Sequence, residues 1–196
     1  MVEYVDVLIC GSGSAGLCAA TWLAKCGIPC RILEKNSGPM QLGQADGVQC
    51  RTVEVFESFG MAEELLRAAY HVLEVVFWSA NSDGQLARIG RTADTMPGLS
   101  HQPHVILNQA FINGFMLDAM KRFNNQTVDY GCAVKSVELH SVDDVYVNGD
   151  DSLANGTAVK EKEYPVTVIA EQDGEEKTYR AKYVLVSHYI TYGTLT

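Results

Sequence analysis

Hydrophobic and polar positions change their spacing several times along the chain, and each change marks an element. Residues 4–10, YVDVLIC, form a short β-branched apolar run, the pattern of a strand buried in a parallel sheet. GSGSAG follows at 11–16. LCAATWLAKCG then repeats apolar residues at helical spacing: Leu17, Ala20, Leu23 and Ala24 share a face, and Gly27 supplies the stop. Trp22 is expected to pack as part of that helix. Cys30 to Leu33 predict a second strand ending at Glu34.

A loop rich in Gly, Asn, Ser and Gln at 36–47 precedes helical patterning at 48–59 and 61–69, divided by Gly60. His71 to Ala80 reads as a strand, with Phe77 and Trp78 facing either the core, the favoured placement, or a substrate region. Asn81-Ser82-Asp83-Gly84 is a hairpin turn leading to a return strand near 85–90. A loop with Pro97, Gly98 and Pro103 comes before a short strand at 104–107. Residues 108–122 read as a helix, with Ala110, Phe111, Phe115, Leu117 and Met120 as its apolar contacts. The stretch 132–142 alternates as a strand should, and 143–163 is acidic and polar, an exposed loop. Residues 164–170 and 177–186 flank the turn EQDGEE and predict a β-hairpin. This order gives a parallel α/β start with antiparallel strands added later, which is not a plain doubly wound sheet.

Composition narrows the class without changing that outline. Hydrophobic residues make up 47% and charged residues 20% of 196 residues, the balance of a globular domain with a sizeable core. A net charge of −9 argues against nucleic acid or an anionic membrane as partner, since phosphate attracts a surplus of Lys and Arg. No apolar run approaches the roughly 18 to 20 residues of a membrane span. Glu3 and Asp6 stand where a secretory signal carries positive charge, so the expected location is cytoplasmic. The cysteines at 10, 18, 26, 30, 50 and 132 contain no CxxC pair. Cys10, Cys18 and Cys26 fall in apolar segments and read as small hydrophobes rather than as disulfides or metal ligands. His101 and His104 have no third ligand at suitable spacing and read as loop and strand-edge residues.

The glycine-rich turn carries chemistry because of its place. Gly11, Gly13 and Gly16 form GxGxxG between a predicted strand and a predicted helix. The first allows the tight turn, the second lets backbone approach a pyrophosphate, and the third permits close helix–strand packing. The helix end offers unsatisfied N–H groups and a positive dipole end to phosphate. Glu34, at the end of the next strand, stands where a carboxylate accepts from ribose hydroxyls. A dinucleotide site follows. A dehydrogenase domain would continue with another helix and a third parallel strand; this chain continues with a polar loop and QADGVQCRT at 44–52. Read alone, Asp46-Gly47 in that stretch is a turn.

Those residues carry a resemblance. VDVLICGSGSAGLCAATWLAKCGIPCRILEK resembles the FAD-binding opening of the class A flavoprotein monooxygenases. QADGVQCRTVEVFESFG is similar to the corresponding stretch of their phenol 2-monooxygenase (phenol hydroxylase) group. DTMPGLS at 94–100, HVILNQ at 104–109 and YPVTV at 164–168 are similar to further segments of that group, in order over residues 4–186. The resemblance implies a Rossmann-like FAD-binding domain, a parallel sheet with antiparallel strands added, here incomplete. It implies an enzyme that reduces FAD with NADPH and uses O2 to hydroxylate a phenol beside its existing hydroxyl. Ser14 and Ala15 would meet the pyrophosphate and Glu34 the adenosine ribose, with Lys35 beside it. Gly43, Gln44, Ala45, Asp46 and Gly47 would run along the flavin, and Arg51 and Gln109 would contact its diphosphate and ribityl region. Asp46 falls on the family's active-site aspartate, a base that helps to deprotonate the phenol. Full-length members of the family are implied to form homodimers.

The chain departs from that pattern in three places. Phe111 and Asn113 replace an arginine and a glutamate after Gln109, removing two polar groups near the cofactor. The match stops at Val186, and residues 187–196 form a divergent tail where the family has a C-D-G-x-x-S motif. Members are also far longer, so the rest of the substrate domain and a C-terminal thioredoxin-like domain are expected to be absent from this chain. Residues 1–186 then correspond to the N-terminal part of the FAD-binding monooxygenase domain. A non-catalytic nucleotide-binding fragment is the alternative, and a plain NAD(P) Rossmann dehydrogenase is disfavoured by QADGVQCRT.

Overall fold

In a computed structural model, residues 2–43, 45–140 and 163–187 are described. In chain order they form β1 (Val2–Cys10), α1 (Ser14–Lys25), β2 (Arg31–Glu34), β3 (Gly47–Val48), α2 (Cys50–Ser58), α3 (Ala62–Ala68), β4 (Tyr70–Val72) and β5 (Glu74–Ala80). There follow β6 (Leu86–Ala93), β7 (His104–Ile106), α4 (Gln109–Asn124), β8 (Asp129–Tyr130), β9 (Cys132–Leu139), β10 (Val166–Gln172) and β11 (Glu175–Val186). Gln44 lies outside the described residues, as does the expected acidic loop apart from Glu163. Two compact units emerge, one from residues 1–40 and 116–196, the other from 41–115.

The first unit is organised by one six-stranded sheet in the order β8-β2-β1-β11-β10-β9. β1 lies parallel to β2 and to β11, and β2 lies parallel to β8. β10 is antiparallel to both β11 and β9. The α/β class with antiparallel strands added is therefore the observed one. β10 and β11 are joined by Asp173-Gly174, both at positive φ (54° and 79°), the two-residue connection whose twist suits a hairpin. Alternation along β1 sends Leu8 and Cys10 to one face and Ile9 to the other. Leu8 and Cys10 join Leu33, Cys132, Val168, Tyr179 and Ala181 in a closed cluster. Each fully buried aliphatic side chain there contributes about 1.5–3 kcal/mol. Burial pushes the Cys10 thiol up to about 12 and the Cys30 thiol up to about 11, so both act as small hydrophobes. All six cysteines are free thiols.

Helix α1 begins at Ser14, three residues before the apolar stripe, because Gly13 is extended (φ −67°, ψ 173°) and its carbonyl accepts from Leu17 N at 2.9 Å. It ends at Gly27 (φ +72°), whose N–H donates to Ala24 O while Ile28 N–H donates to Leu23 O. The buried stripe is Leu17, Ala20, Thr21 and Ala24. Trp22, expected to pack, is instead turned away from that stripe by the helical spacing. It stands exposed with the Lys25 ammonium 5.8 Å from its ring centroid.

In the second unit, β3 and β4 flank β7 in an antiparallel three-stranded sheet. Val53, Phe56, Phe59, Met61 and Leu65 from α2, α3 and their connection are buried, as are Val48 and Val105 of the sheet. β5 and β6 form a separate two-stranded sheet. The hairpin turn forms as expected, with Asn81 Oδ1 accepting from Asp83 N and Gln85 N. Phe77 and Trp78 are not core: they are 52% and 57% exposed, because a two-stranded sheet buries neither of its faces by itself. In α4 the buried residues are Ile112, Asn113, Met116, Ala119 and Met120. Phe111, expected among the apolar contacts, is 61% exposed. Among the described residues, no helix is long and apolar enough to cross a membrane.

Candidate functional site

The sequence-derived candidates divide between the two units. Gly11, Gly13, Ser14, Ala15, Gly16, Glu34 and Lys35 lie in the first; Gly43, Ala45, Asp46, Gly47, Arg51 and Gln109 lie in the second.

In the first unit, the glycine-rich loop is pinned at both sides. Gly11 has φ +100°, a conformation open to glycine, and its N–H donates to Leu33 O at 2.8 Å. A Cβ on Gly16 would lie 2.1 Å from Gly11 O, so that position admits no side chain. A Cβ on Gly13 would meet nothing within 4 Å. The third glycine thus closes the strand–helix contact, while the second opens onto free space at the N-terminus of α1. That helix carries no acidic residue in its first turn, and Gly13 supplies no side-chain cap. Its own first turn therefore supplies no acidic side chain to offset the positive end of the helix dipole. This arrangement fits a pyrophosphate. Ser14 opens the helix and Ala15 is exposed beside it.

Glu34 is buried at 8% exposure and is bonded to the loop. Its Oε2 accepts from Ser12 N at 2.8 Å and from Ser12 Oγ at 2.9 Å. Its Oε1 accepts from Asn36 N at 2.9 Å and from Asn36 Nδ2 at 2.7 Å. Lys35, the next residue, is exposed. A further strap was illegible in the sequence: the Ser187 hydroxyl donates to Cys10 O at 2.8 Å and to Gly11 O at 2.9 Å, from the first residue of the divergent tail.

In the second unit, Asp46-Gly47 is not a turn. Asp46 O accepts from Leu107 N at 2.8 Å and Ala45 O accepts from Gln109 N at 3.1 Å, so the segment runs extended beside β7 and continues into β3. Asp46 is exposed, and its carboxylate makes no hydrogen bond or ion pair with the described residues. Arg51 sits in the first turn of α2, exposed and likewise without a partner among the described residues. A cation at a helix N-terminus is disfavoured by the dipole. An incoming anion would remove that penalty, which suits a diphosphate contact.

Gly43 packs against the start of α4: a Cβ there would lie 2.4 Å from Gln109 Cβ and 2.8 Å from Gln109 N. Asn108, inside the HVILNQ segment but given no role by the resemblance, organises this corner. Its Oδ1 accepts from Ala110 N at 2.9 Å, capping α4, and from Gly43 N at 3.3 Å. Asn108→Ala is expected to lower stability by about 0.5–2 kcal/mol in urea unfolding, the range of a lost N-cap, with Asn108→Asp restoring most of it. Equal stability of the alanine variant would show that the cap is dispensable.

The segment similar to D-x-x-P-G-I/L-S also has a job. Asp94 Oδ2 lies 2.9 Å from His104 Nδ1, and both side chains are largely buried. The other ring nitrogen, Nε2, faces Gly47, at 3.5 Å from where a Cβ would stand. Ser100 Oγ donates to Glu54 Oε1 at 2.6 Å, and His101 Nε2 lies 2.7 Å from Glu57 Oε2. The Glu57 carboxylate raises the His101 pKa above its ordinary value. His104 is thus an oriented imidazole beside the Asp46-Gly47 segment. Only the order D-x9-H marks it in the sequence, and that spacing is uninformative before the fold is known. Among the described residues, no three His, Cys, Asp or Glu side chains gather as metal ligands.

Residues 4–186 match a protein family described as the FAD binding domain. The chain is 53% identical over 190 residues to the FAD-dependent monooxygenase terD of Aspergillus terreus. It is 40% identical over 189 residues to 3-hydroxybenzoate 4-monooxygenase of Comamonas testosteroni. These alignments cover 95% and 92% of the chain but 29% and 27% of those relatives, so the chain spans under a third of their length. Among solved structures, the flavin-dependent monooxygenase PieE in complex with FAD and substrate matches with a TM-score of 0.69 at 22% identity. That match covers 92% of the chain and 29% of PieE, and shows a shared fold.

Proposed function

The chain belongs to the FAD binding domain family, and from that premise we propose that it supplies the FAD-binding part of an aromatic hydroxylase. The observation that carries the reading is the contrast between Gly16, which is closed against Gly11, and Gly13, where a Cβ would meet nothing within 4 Å just ahead of α1. A loop serving packing alone would have no use for the open position. One of the two relatives supports an aromatic substrate, since it is a monooxygenase named for 3-hydroxybenzoate. The resemblance to the phenol 2-monooxygenase group points to the same feature, a ring bearing a hydroxyl.

Bound FAD would supply electron transfer from NADPH to O2, the redox chemistry that ring hydroxylation requires. The chain's own residues then have separable tasks. The N–H groups at the start of α1, with Ser14 and Ala15, hold the pyrophosphate, and Glu34 receives the ribose with Lys35 beside it. Gly43, Ala45 and Gly47 would run along the flavin, and Gln44, outside the described residues, is assigned to the same stretch by the resemblance alone. Arg51 and Gln109 take the diphosphate and ribityl region. Asp46 accepts the proton of the substrate hydroxyl, because a phenolate ring is more electron-rich than a phenol and reacts more readily. An exposed carboxylate with no partner among the described residues, on a segment held by two backbone hydrogen bonds, suits that task.

A second reading, a nucleotide binder without hydroxylase activity, is favoured by Phe111, which is exposed where the resemblance places an arginine. FAD titration separates the outcomes. Saturable quenching of flavin fluorescence is the expected result, and its absence overturns the proposal. NADPH oxidation stimulated by a phenol would establish the hydroxylase; FAD binding without it would leave the binder.

A further inference from the structure

We propose that Asn36 is an internal stand-in for the ribose diol of the incoming nucleotide, released from Glu34 when an adenosine diphosphate group binds. The inference rests on the reading of Glu34 as the ribose acceptor. A carboxylate offers about four lone-pair directions. Ser12 and Asn36 supply four donors to Glu34, two to each oxygen. A ribose hydroxyl can therefore reach this carboxylate only by taking the place of one of them.

The four donors differ in their freedom to leave. Ser12 N belongs to the loop whose neighbour Gly11 is tied to Leu33 O, and Asn36 has its own backbone tied through its carbonyl to Gly131 N at 2.8 Å. Ser12 Oγ is on a buried residue, at 8% exposure. Asn36 is exposed, so its Nδ2 is the donor that can leave by side-chain rotation alone and be received by water. Until then it satisfies a buried carboxylate that would otherwise lose a hydrogen bond in a poorly solvated place. The amide keeps Glu34 aimed and occupied, and binding becomes an exchange of one donor for another.

The consequence is measurable without turnover. Removing the competing amide takes one donor from Oε1, while the backbone hydrogen bonds of Asn36 N and Ser12 N to Glu34 remain. Asn36→Ala is expected to bind FAD and ADP about five-fold more tightly than the parent chain, the worth of one net hydrogen bond. FMN, which has no adenosine, is expected to be unaffected. Asn36→Asp places a second carboxylate against Glu34 and is expected to weaken FAD and ADP alike. Fluorescence quenching for the flavins and calorimetry for ADP give the constants. Unchanged or weaker FAD and ADP binding by Asn36→Ala, beside a parent chain that binds both, overturns the exchange alone. Equal tightening of FMN does the same. A parent chain that binds neither FAD nor ADP removes both this inference and the functional reading beneath it.

Discussion

Gly16→Ala is expected to lower the thermal midpoint of the chain by roughly 10 °C. The added methyl would stand 2.1 Å from Gly11 O and 3.3 Å from Gly11 C. Its third neighbour, Ser187 Oγ at 2.7 Å, sits on a side chain that can rotate aside. The Gly11 carbonyl cannot, because Gly11 is held at φ +100° with its N–H on Leu33 O, between β1 and α1. Relief requires α1 to move off the sheet, opening the contacts of Leu17, Ala20 and Ala24. Overpacking costs about 1–3 kcal/mol when side chains can adjust, and a rigid backbone neighbour places this site at the upper end. At roughly 2–4 °C per kcal/mol for a chain of this size, the shift is of the stated order. Differential scanning calorimetry reads it directly, and a midpoint within about 2 °C of the parent would show that Gly16 is not closed in the folded protein.

Much of the first unit could be read along the chain, because its signals are local. A β-branched run, a glycine turn, a helical stripe and a second strand each depend on neighbours within a few residues. They reappear as β1, the loop, α1 and β2. The hairpin at Asp173-Gly174 and the one at Asn81–Gly84 were legible for the same reason. What failed was the placing of several large apolar side chains, although the α1 stripe of Leu17, Ala20 and Ala24 is buried as its spacing predicts. Trp22, Phe77, Trp78 and Phe111 are large and apolar, yet all four are exposed. Apolar character states what burial would contribute, while coverage depends on which elements pack where, and nothing local encodes that.

The candidate residues show the same division. Gly13, Gly16 and Glu34 were placed by spacing, and the structure puts them around one helix end. Their partners were not visible: Asn36 and Ser12 on Glu34, Ser187 beneath Gly11, Asn108 at Gly43, and Asp94 on His104. Except for Asn36 and Glu34, each pair is separated by ten residues or more, up to 176 for Ser187 and Gly11. Polar side chains find partners after the backbone has brought strands together, so their pairing is a product of the fold. Asp46-Gly47 is instructive in the other direction. The dipeptide favours a turn, but pairing beside β7 overrides that preference and leaves the Asp46 side chain exposed beside His104's strand.

Gly13→Ala tests the opposite property of the same motif, and the expected result is a loss of FAD affinity on the order of a hundred-fold with no loss of stability. The backbone at Gly13 (φ −67°, ψ 173°) is open to any residue, and a Cβ there meets nothing within 4 Å. Replacing glycine at a compatible position stabilises by about 0.4–1 kcal/mol, because the unfolded chain has fewer conformations to lose. The thermal midpoint should therefore hold or rise slightly. The methyl would nevertheless project into the space in front of the α1 N-terminus, where the pyrophosphate must approach for its oxygens to reach the helix N–H groups. Hydrogen bonds to a charged group are worth about 1.5–3 kcal/mol each, and losing the equivalent of two weaker ones gives the stated factor. Fluorescence titration and calorimetry on the same preparation distinguish the possibilities. Undiminished FAD binding would place the pyrophosphate elsewhere, and a fall in stability alongside affinity would make Gly13 a packing residue like Gly16. Stable folding with lost affinity is the combination that only a ligand-facing glycine produces.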